Sequence, residues 1–271
     1  MTQTTISSYL MPLTRWGSMR KIHSIFEHSL NIIVGQRLIN LTSYPTFLSS
    51  FGLRVTEADF QAIRSYTKVG DLVKISESQL VIYSRQKVQI LSLKPTKVKD
   101  LAIGVVPYSE GHLQTVVDSI TDLGLQKKLG LEFADKEKRF ARQLAKAEIE
   151  PEMITYFIGR GKGLTPSGDD LLLGYLYMLK LYQRSQAATL QKLIQQSIKR
   201  TTIISENYFL ALADGYVSSV FKDLNDYLIN PNSLNLDEII QAILAVGHTS
   251  GADMCYGLLL GAKAVQVSEA E

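Results

Sequence analysis

The pattern of apolar residues changes near residue 107, and this change constrains the fold more than any other feature of the sequence. Before it, short runs rich in β-branched residues alternate with polar breaks, as in Leu72–Ile75, Leu80–Tyr83 and Val88–Leu91. These runs predict strands, and the short turns between them predict antiparallel pairing, because parallel neighbours need connections of about a dozen residues or more. The same reasoning predicts a hairpin within His28–Leu41, with its turn at Gly35.

After residue 107 apolar residues recur at three- and four-residue spacings, which is typical of amphipathic helices. The predicted helical segments are His112–Leu131, Asp135–Ala147, a short helix opened by Pro151, Leu171–Arg184, Ser205–Leu228, Leu236–Val246 and Ala252–Val267. In the first part of the chain, Thr56–Tyr66 has a helical pattern with Thr56 as its N-cap, and the basic stretch Lys94–Lys99 is predicted to be a solvated connector.

Together these segments predict an α+β fold in which strands and helices are segregated along the chain. An N-terminal β-rich, antiparallel domain is expected over residues 1–107. An all-helical C-terminal domain that carries two loops rich in Gly, Thr, Ser and Asp is expected over residues 108–271.

Composition argues against several classes of function. The 29 basic and 26 acidic residues give a net charge of +3, too small an excess for a surface that tracks nucleic-acid phosphates. The single cysteine, Cys255, lies in an apolar segment and is expected to be a buried hydrophobe. The most apolar run, Leu171–Leu179, is far shorter than the ~20 residues that cross a bilayer. We expect a cytoplasmic protein without nucleic-acid or membrane partners.

The strongest functional signal is the segment GRGKGLTPSGDDLLLG, which begins at Gly159. Its glycines let the backbone approach a ligand closely, and two cations stand between them. Pro166 then suits the start of a helix, where free N–H groups and the positive end of the helix dipole favour an anion. The expected substrate-binding residues of this loop are Arg160, Gly161, Lys162, Gly163, Thr165, Ser167, Gly168 and Asp169.

Asp169 and Asp170 fall in the first turn of that helix, where three roles are open to them. They can stabilise the helix dipole, bind a divalent cation such as Mg²⁺, or orient a substrate. The segment lacks the spacing of a Walker A loop. It also lacks the buried strand that precedes a dinucleotide-binding loop. Mg²⁺ is therefore the one cofactor left open, and no metal ligands are assigned.

A second segment, GHTSGADMCYG, begins at Gly247 and repeats part of the first. With one gap at Pro166, the equivalent pairs are Thr165 and Thr249, Ser167 and Ser250, Gly168 and Gly251, Asp170 and Asp253, and Gly174 and Gly257. Two related loop-to-helix units are expected to lie side by side and to form one site for a phosphate or a carboxylate.

This repeat extends the set of expected site residues. Thr249, Ser250 and Gly251 join the substrate-binding residues, and the expected catalytic residues are Asp170, Asp253 and His248. An imidazole suits proton transfer near neutral pH. The structural alternative is that the Ser and Thr residues cap helices, while Gly174 and Gly257 permit close packing. Thr201, Thr202 and Ser205 are expected caps that could face the same cleft, and His23 and His28 are weak candidates for a metal site.

These blocks resemble a bacterial family long catalogued without a function, the AllH type. The first segment, then RTTIIS at Arg200–Ser205, then the second segment follow the order of that family, and HSIFEHSLNI is similar to its N-terminal signature. The resemblance implies a subunit of the oxamate carbamoyltransferase of allantoin and purine catabolism. That enzyme converts oxalurate and phosphate to oxamate and carbamoyl phosphate.

The resemblance further implies a small anionic substrate, carrying a carboxylate or a phosphate, and other subunits as partners. Two alternatives stay open from the residues alone. The chain can be a non-catalytic ligand-binding or scaffolding subunit, or a magnesium-dependent, nucleotide-binding phosphotransferase that uses Asp169 and Asp170 as metal ligands.

Overall fold

A computed structural model describes residues 4–270. Within that range a nine-stranded sheet precedes most of the helices, which confirms the α+β class with the β-rich part first. The strands are β1 (Thr4–Ser7), β2 (Met19–Ile25), β3 (Ser29–Val34), β4 (Arg37–Thr42), β5 (Gly52–Arg54), β6 (Leu72–Ile75), β7 (Gln79–Tyr83), β8 (Val88–Ser92) and β9 (Thr96–Lys99). The helices are α1 (Glu57–Arg64), α2 (Glu110–Thr121), α3 (Asp135–Leu144), α4 (Pro151–Phe157), α5 (Ser167–Leu181), α6 (Gln186–Ser197), α7 (Ile203–Ala213), α8 (Ser219–Ile229), α9 (Leu236–Leu244) and α10 (Ser250–Ala270).

The sheet is mostly antiparallel, in the order β8-β7-β6-β2-β3-β4-β5-β1-β9. The predicted hairpin is β3 and β4, which turn at Gly35 with φ +62°, and the predicted meander is β6, β7 and β8. Two neighbouring pairs, β4 with β5 and β1 with β9, are parallel. The solvated connector predicted at Lys94–Lys99 is therefore wrong for Thr96–Lys99. Strand β9 pairs there with β1, a partner so distant in sequence that no local pattern indicates it.

The chain divides into two compact units. The first contains the described residues up to Ala102 together with Gly215–Ser219, and the second contains Ile103–Asp214 and the chain from Val220. The returning segment is hydrogen-bonded within the first unit, where the Ser219 N–H donates to the Leu48 carbonyl at 2.8 Å. The boundary at residue 107, as a division between functional domains, stays a prediction.

Two predicted helices end earlier than their apolar spacing indicates. Ser205–Leu228 is two helices, α7 and α8, separated at Gly215 with φ +86°. His112–Leu131 is helical only to the end of α2, because Gly124 takes φ +56° and a left-handed residue ends a helix. Helix α6 was not predicted, since only Leu190 and Ile194 of its polar sequence are buried and the apolar period is weak.

The second unit is organised around α5 and α10. Every residue of α5 except Lys180 is buried, as expected for a helix that is apolar on all sides. The two helices touch at a pair of glycines: a Cβ on Gly257 would overlap the Leu171 carbonyl, and a Cβ on Gly174 would overlap the Met254 carbonyl. Because each glycine meets the backbone of the other helix, the two backbones approach more closely than side chains would permit.

We predict that Gly257→Ala lowers the free energy of unfolding by about 1–3 kcal/mol, because the added methyl group must push the two helices apart. Gly111→Ala is the matched control, since a Cβ at Gly111 in α2 meets nothing within 4 Å. That control should raise the free energy of unfolding by about 0.5–1 kcal/mol. Urea denaturation of both variants measures the difference, and equal effects would show that the glycine contact does not limit the helix approach.

Candidate functional site

The two loop-to-helix units predicted to be neighbours lie side by side. The hydroxyl groups of Thr165 and Ser250, at the starts of α5 and α10, are 3.0 Å apart and share a hydrogen bond. Further along, Gly174 of α5 faces the backbone of α10 near Gly257. Contacts at both places mean that the two helices run in the same direction, with their N-terminal ends together.

The two repeated aspartates are surrounded in a crossed arrangement. Asp170 lies near the hydroxyl of its own loop, Thr165, and near Ser250 of the other loop. Asp253 lies near Thr249 of its own loop and near Ser167 of the other loop. Each carboxyl group is thus lined by one threonine and one serine, and the serine comes from the partner unit of the repeat. The internal repeat in the sequence corresponds to a repeated environment in space.

Burial controls the ionisation of this pair. Both side chains are 2% exposed, and one oxygen of each, Oδ2, has no hydrogen-bond partner among the described residues. Burial raises the pKa of Asp253 to about 6, although the nearby hydroxyls and the Gly130 N–H act against the shift. Burial raises the pKa of Asp170 well above its usual value; the charges of Asp253 and Asp169 raise it further, against the two hydroxyls. Burial therefore shifts both carboxyl groups towards the protonated form.

Asp169 has a different function in the structure, because it organises the glycine-rich loop. Its Oδ1 accepts a hydrogen bond from the Gly159 N–H at 2.7 Å, and its Oδ2 accepts one from the Thr201 hydroxyl. Burial raises the pKa of Asp169, and these donors together with the Ser205 hydroxyl oppose the shift. The equivalent position in the second unit is Ala252, so this anchor exists on one side of the repeat only.

The glycine-rich loop bends back against the start of α5. Gly159, Gly161 and Gly163 all have positive φ, at +71°, +125° and +94°. A Cβ on Gly161 would lie 2.6 Å from the Ser167 backbone nitrogen. The Gly168 N–H donates to the Arg160 carbonyl at 2.8 Å. This N–H group at the start of α5 is therefore already hydrogen-bonded within the chain, where the sequence favoured a free donor for an anion.

The two cations of the loop have unequal surroundings. Arg160 lies 3.4 Å from Glu137 of α3, and its guanidinium stacks over the Tyr156 ring at 4.1 Å. Burial alone would raise the pKa of Glu137, but the hydroxyl of Tyr156, the backbone and Arg160 together lower it. Both cations are exposed, but Arg160 is held in place by a carboxylate and a ring. Sequence reasoning missed Glu137 and Tyr156, because nothing in α3 or α4 indicates proximity to the loop.

Gly130, between α2 and α3, is a further residue that the sequence did not indicate. Its N–H donates to Asp253 Oδ1 at 3.1 Å. A Cβ at this position would overlap the Ser167 hydroxyl and would lie 2.6 Å from the Thr249 hydroxyl. The backbone at Gly130 therefore covers three of the predicted site residues directly. Only a glycine fits there, because any side chain would occupy the space between the two helix starts.

The remaining predicted residues lie around this centre. Gly168 and Gly251 are in equivalent packing positions, where a Cβ would overlap the Phe157 and Ile243 carbonyls respectively. Gly163 and His248 are exposed, and the His248 ring makes no hydrogen bond or ion pair within residues 4–270. The structure thus brings Asp170 and Asp253 together with their serines and threonines, and leaves His248 at the surface of its loop.

The other candidate side chains do not form a site. Burial raises the pKa of the Cys255 thiol to about 12, which fits a buried hydrophobe. His28 lies 3.8 Å from Glu27 and from Glu57, and His23 pairs with Ser24. In the described part of the chain no group of three or more His, Cys, Asp or Glu side chains is arranged to hold a metal ion. None of the helices described is both long and apolar enough to cross a membrane.

We predict that Asp253→Asn stabilises the protein above pH 6. Because the pKa of Asp253 is raised in the folded state, the free energy of unfolding falls as pH increases from the unfolded pKa of 3.8 through about 6. Asparagine keeps the acceptor for Gly130 but carries no charge to desolvate. The gain at pH 7.5 should be on the order of 1–3 kcal/mol and should vanish below about pH 4. Urea denaturation at several pH values measures it.

Asp237→Asn is the control for this prediction. Asp237 lies exposed in the first turn of α9, where its charge favours the helix dipole, so removing that charge should lower stability slightly at pH 7.5. If the two asparagine variants change stability in the same direction, Asp253 is an ordinary helix-dipole residue and the desolvation argument fails.

Two protein-family models match the chain. The family model for the AllH family N-terminal domain matches residues 3–95. The model described as oxamate carbamoyltransferase subunit AllH matches residues 157–262, which include both loops and both aspartates. No solved structure matches the chain. With the two models covering most of the sequence, the chain belongs to the AllH family.

Proposed function

We propose that this chain is a subunit of an oxamate carbamoyltransferase and that it binds a small anionic substrate where α5 and α10 begin. The observation that carries the proposal is the pair Asp170 and Asp253, each buried, each with an oxygen lacking a partner among the described residues, and each lined by hydroxyls from both loops. Buried polar groups without partners are rare in structural positions and common in sites that await a ligand.

The expected substrate, oxalurate, carries a carboxylate at one end and ureido N–H groups at the other. Buried carboxyl groups would repel a simple anion, but they accept hydrogen bonds from N–H donors. Arg160 and Lys162 supply positive charge in the glycine-rich loop next to them. We therefore assign the ureido end to Asp170 and Asp253 and the negatively charged end to the two cations.

Transfer of the carbamoyl group requires a proton donor. Phosphate oxygen attacks the ureido carbonyl carbon, the bond from that carbon to the oxamate nitrogen breaks, and the nitrogen takes up a proton as oxamate leaves. A carboxyl group with a pKa near the working pH suits this proton transfer, and Asp253 has a pKa raised to about 6. Asp170, the more deeply desolvated of the two, is assigned to hold the substrate N–H groups.

His248 stays a candidate for proton transfer on the phosphate side. It is exposed in the loop that carries Thr249, next to the hydroxyls of the site. No contact in the described chain fixes its ring, so its proposed contribution depends on substrate or on a partner subunit to position it.

One observation favours a second candidate function, a ligand-binding or scaffolding subunit without catalysis. The Gly130 N–H already occupies Asp253 Oδ1, and the backbone around Gly130 covers Ser167 and Thr249. A covered site of this kind can serve structure alone. The two candidates differ in what removal of the carboxyl groups does to turnover.

We predict that Asp253→Asn lowers kcat for carbamoyl phosphate formation from oxalurate and phosphate at least a hundredfold, and that Asp170→Asn raises KM for oxalurate, when the chain is assembled with the other subunits. Loss of a general acid or base has about this effect. Asp237→Asn, on the exposed end of α9, should retain full activity. Full activity in both site variants, with the fold intact, would favour the scaffolding function.

We further predict an anion-specific stabilisation that depends on Arg160 and Lys162. Phosphate should raise the melting temperature more than chloride does at equal ionic strength, and the double variant Arg160→Gln/Lys162→Gln should lose most of that difference. The matched control is Arg85→Gln/Lys87→Gln, which removes an arginine and a lysine at the same spacing from the turn between β7 and β8.

General salting-out by phosphate acts on all variants alike, so the control measures it. If the two double variants gain the same number of degrees in phosphate, the glycine-rich loop does not bind the anion.

A further inference from the structure

One face of the sheet in the first unit carries several apolar side chains that are exposed in the described chain, namely Leu72, Tyr83, Val88 and Ile90. Strand pairing places Leu72, Tyr83 and Val88 in one row across β6, β7 and β8. The next row contains Lys74, Val81 and Ile90, of which Val81 is buried and Ile90 is 66% exposed. We call these two rows, with the adjoining residues of β2, the outer face.

The alternation of burial along the strands defines this face. Along β8, buried and exposed residues alternate: Gln89 and Leu91 are buried, whereas Val88 and Ile90 are 53% and 66% exposed. In β6 the same alternation leaves Leu72 exposed. A solvated face of an antiparallel sheet normally carries polar residues at these positions, so a row of exposed apolar residues indicates a contact surface.

The outer face also lies at an end of the sheet. Strand β8 is the last in the order, so one edge of its backbone pairs with no other strand of the sheet. Proteins usually protect such edges with charges or prolines, because an open edge with β-branched side chains promotes pairing with another chain. The sequence VQILS of β8 contains neither a charge nor a proline.

The charges on the outer face select the kind of partner. Strand β2 pairs with β6 and extends both rows: Lys21 lies beside Leu72 in the first row, and Met19 lies beside Lys74 in the second. Both charged residues are therefore lysines, and neither makes an ion pair within the described residues. A second copy of the chain docking through the same face would bring lysines towards lysines about a two-fold axis, which is unfavourable. A different protein surface with apolar residues and carboxylates is complementary.

We propose that the outer face docks another subunit of the carbamoyltransferase, whose contact surface is apolar and carries carboxylates opposite Lys21 and Lys74. This inference rests on the proposed function, which supplies the partner subunits. The exposed apolar residues supply most of the contact area, and the two lysines set the choice of partner and the rate of association.

The experiment compares two pairs of matched variants of the full chain. Val88→Asp and Lys74→Glu change the outer face. Val105→Asp changes a valine of similar exposure, 57%, outside the face, and Lys192→Glu reverses an exposed lysine of α6. Affinity for the purified remaining subunits is measured by titration calorimetry, and restored oxalurate phosphorolysis is measured in parallel.

We expect Val88→Asp and Lys74→Glu to raise Kd at least tenfold and the two controls to leave it within about twofold, because a central charge or a reversed contact charge removes complementarity. Circular dichroism melting verifies the fold. If Val88→Asp does not fold, Val88→Thr keeps the β-branched shape with a polar group, and it should raise Kd about threefold or more.

Three results would overturn the proposal in distinguishable ways. First, if the wild-type chain restores activity and all four variants bind the other subunits alike, the outer face is not the docking surface, and the proposed function is unaffected. Wild type that neither binds the other subunits nor restores activity would reject the proposed function and this inference with it. The third result is that Val88→Asp leaves subunit binding unchanged but abolishes another association. If light scattering shows that it abolishes a homodimer, the face belongs to a second copy of the chain. If sedimentation shows that it abolishes binding to vesicles of anionic lipid, the face belongs to a membrane.

Discussion

The close contact between α5 and α10 is the constraint on which the rest of the candidate site depends. Gly174 and Gly257 allow each helix to touch the backbone of the other, and this contact fixes both the distance and the relative register of the two helices. With that register set, Thr165 meets Ser250, and Asp170 and Asp253 come within electrostatic reach of one another. A larger residue at either glycine would separate the helices and would change every distance between the two loops.

The same contact buries charge, which is unfavourable unless something offsets it. Two helix N-termini lie together, and their positive dipole ends favour carboxylates in the first turns. The hydroxyls of both loops add hydrogen bonds, yet burial still raises the pKa of Asp253 to about 6 and that of Asp170 well above its usual value. These desolvated groups lower the stability of the folded chain. In the proposed function Asp253 offsets this loss, because a carboxyl group with a pKa near neutral pH can both give and take a proton.

The two halves of the repeat differ around this shared centre. Asp169 ties the glycine-rich loop to Thr201, whereas the equivalent residue of the second half is Ala252. The cations Arg160 and Lys162 also belong to one half only, and Glu137 holds the first of them. In the proposed function this asymmetry gives the site a direction: carboxyl groups that are related by the repeat hold the ureido end, and the cations on one side hold the negatively charged end.

The sequence by itself determined the fold class, the hairpin at Gly35, the meander of β6 to β8 and the two equivalent loops, because each of these depends on local periodicity, on turn residues or on a repeated motif. Only the tertiary structure decided four other features: the division between α7 and α8, the pairing of β1 with β9, the contacts of Glu137 and Tyr156 with Arg160, and the contacts of Gly130 with the site residues. Each of these features either joins segments that are distant in the chain or depends on the φ angle of one residue. Long-range contacts and single φ angles produce no recognisable pattern in one sequence. The tertiary structure also decided the ionisation of the two aspartates. The sequence does not show whether an aspartate in the first turn of a helix is solvated or buried, and it is burial by packing that raises the pKa of Asp170 and Asp253.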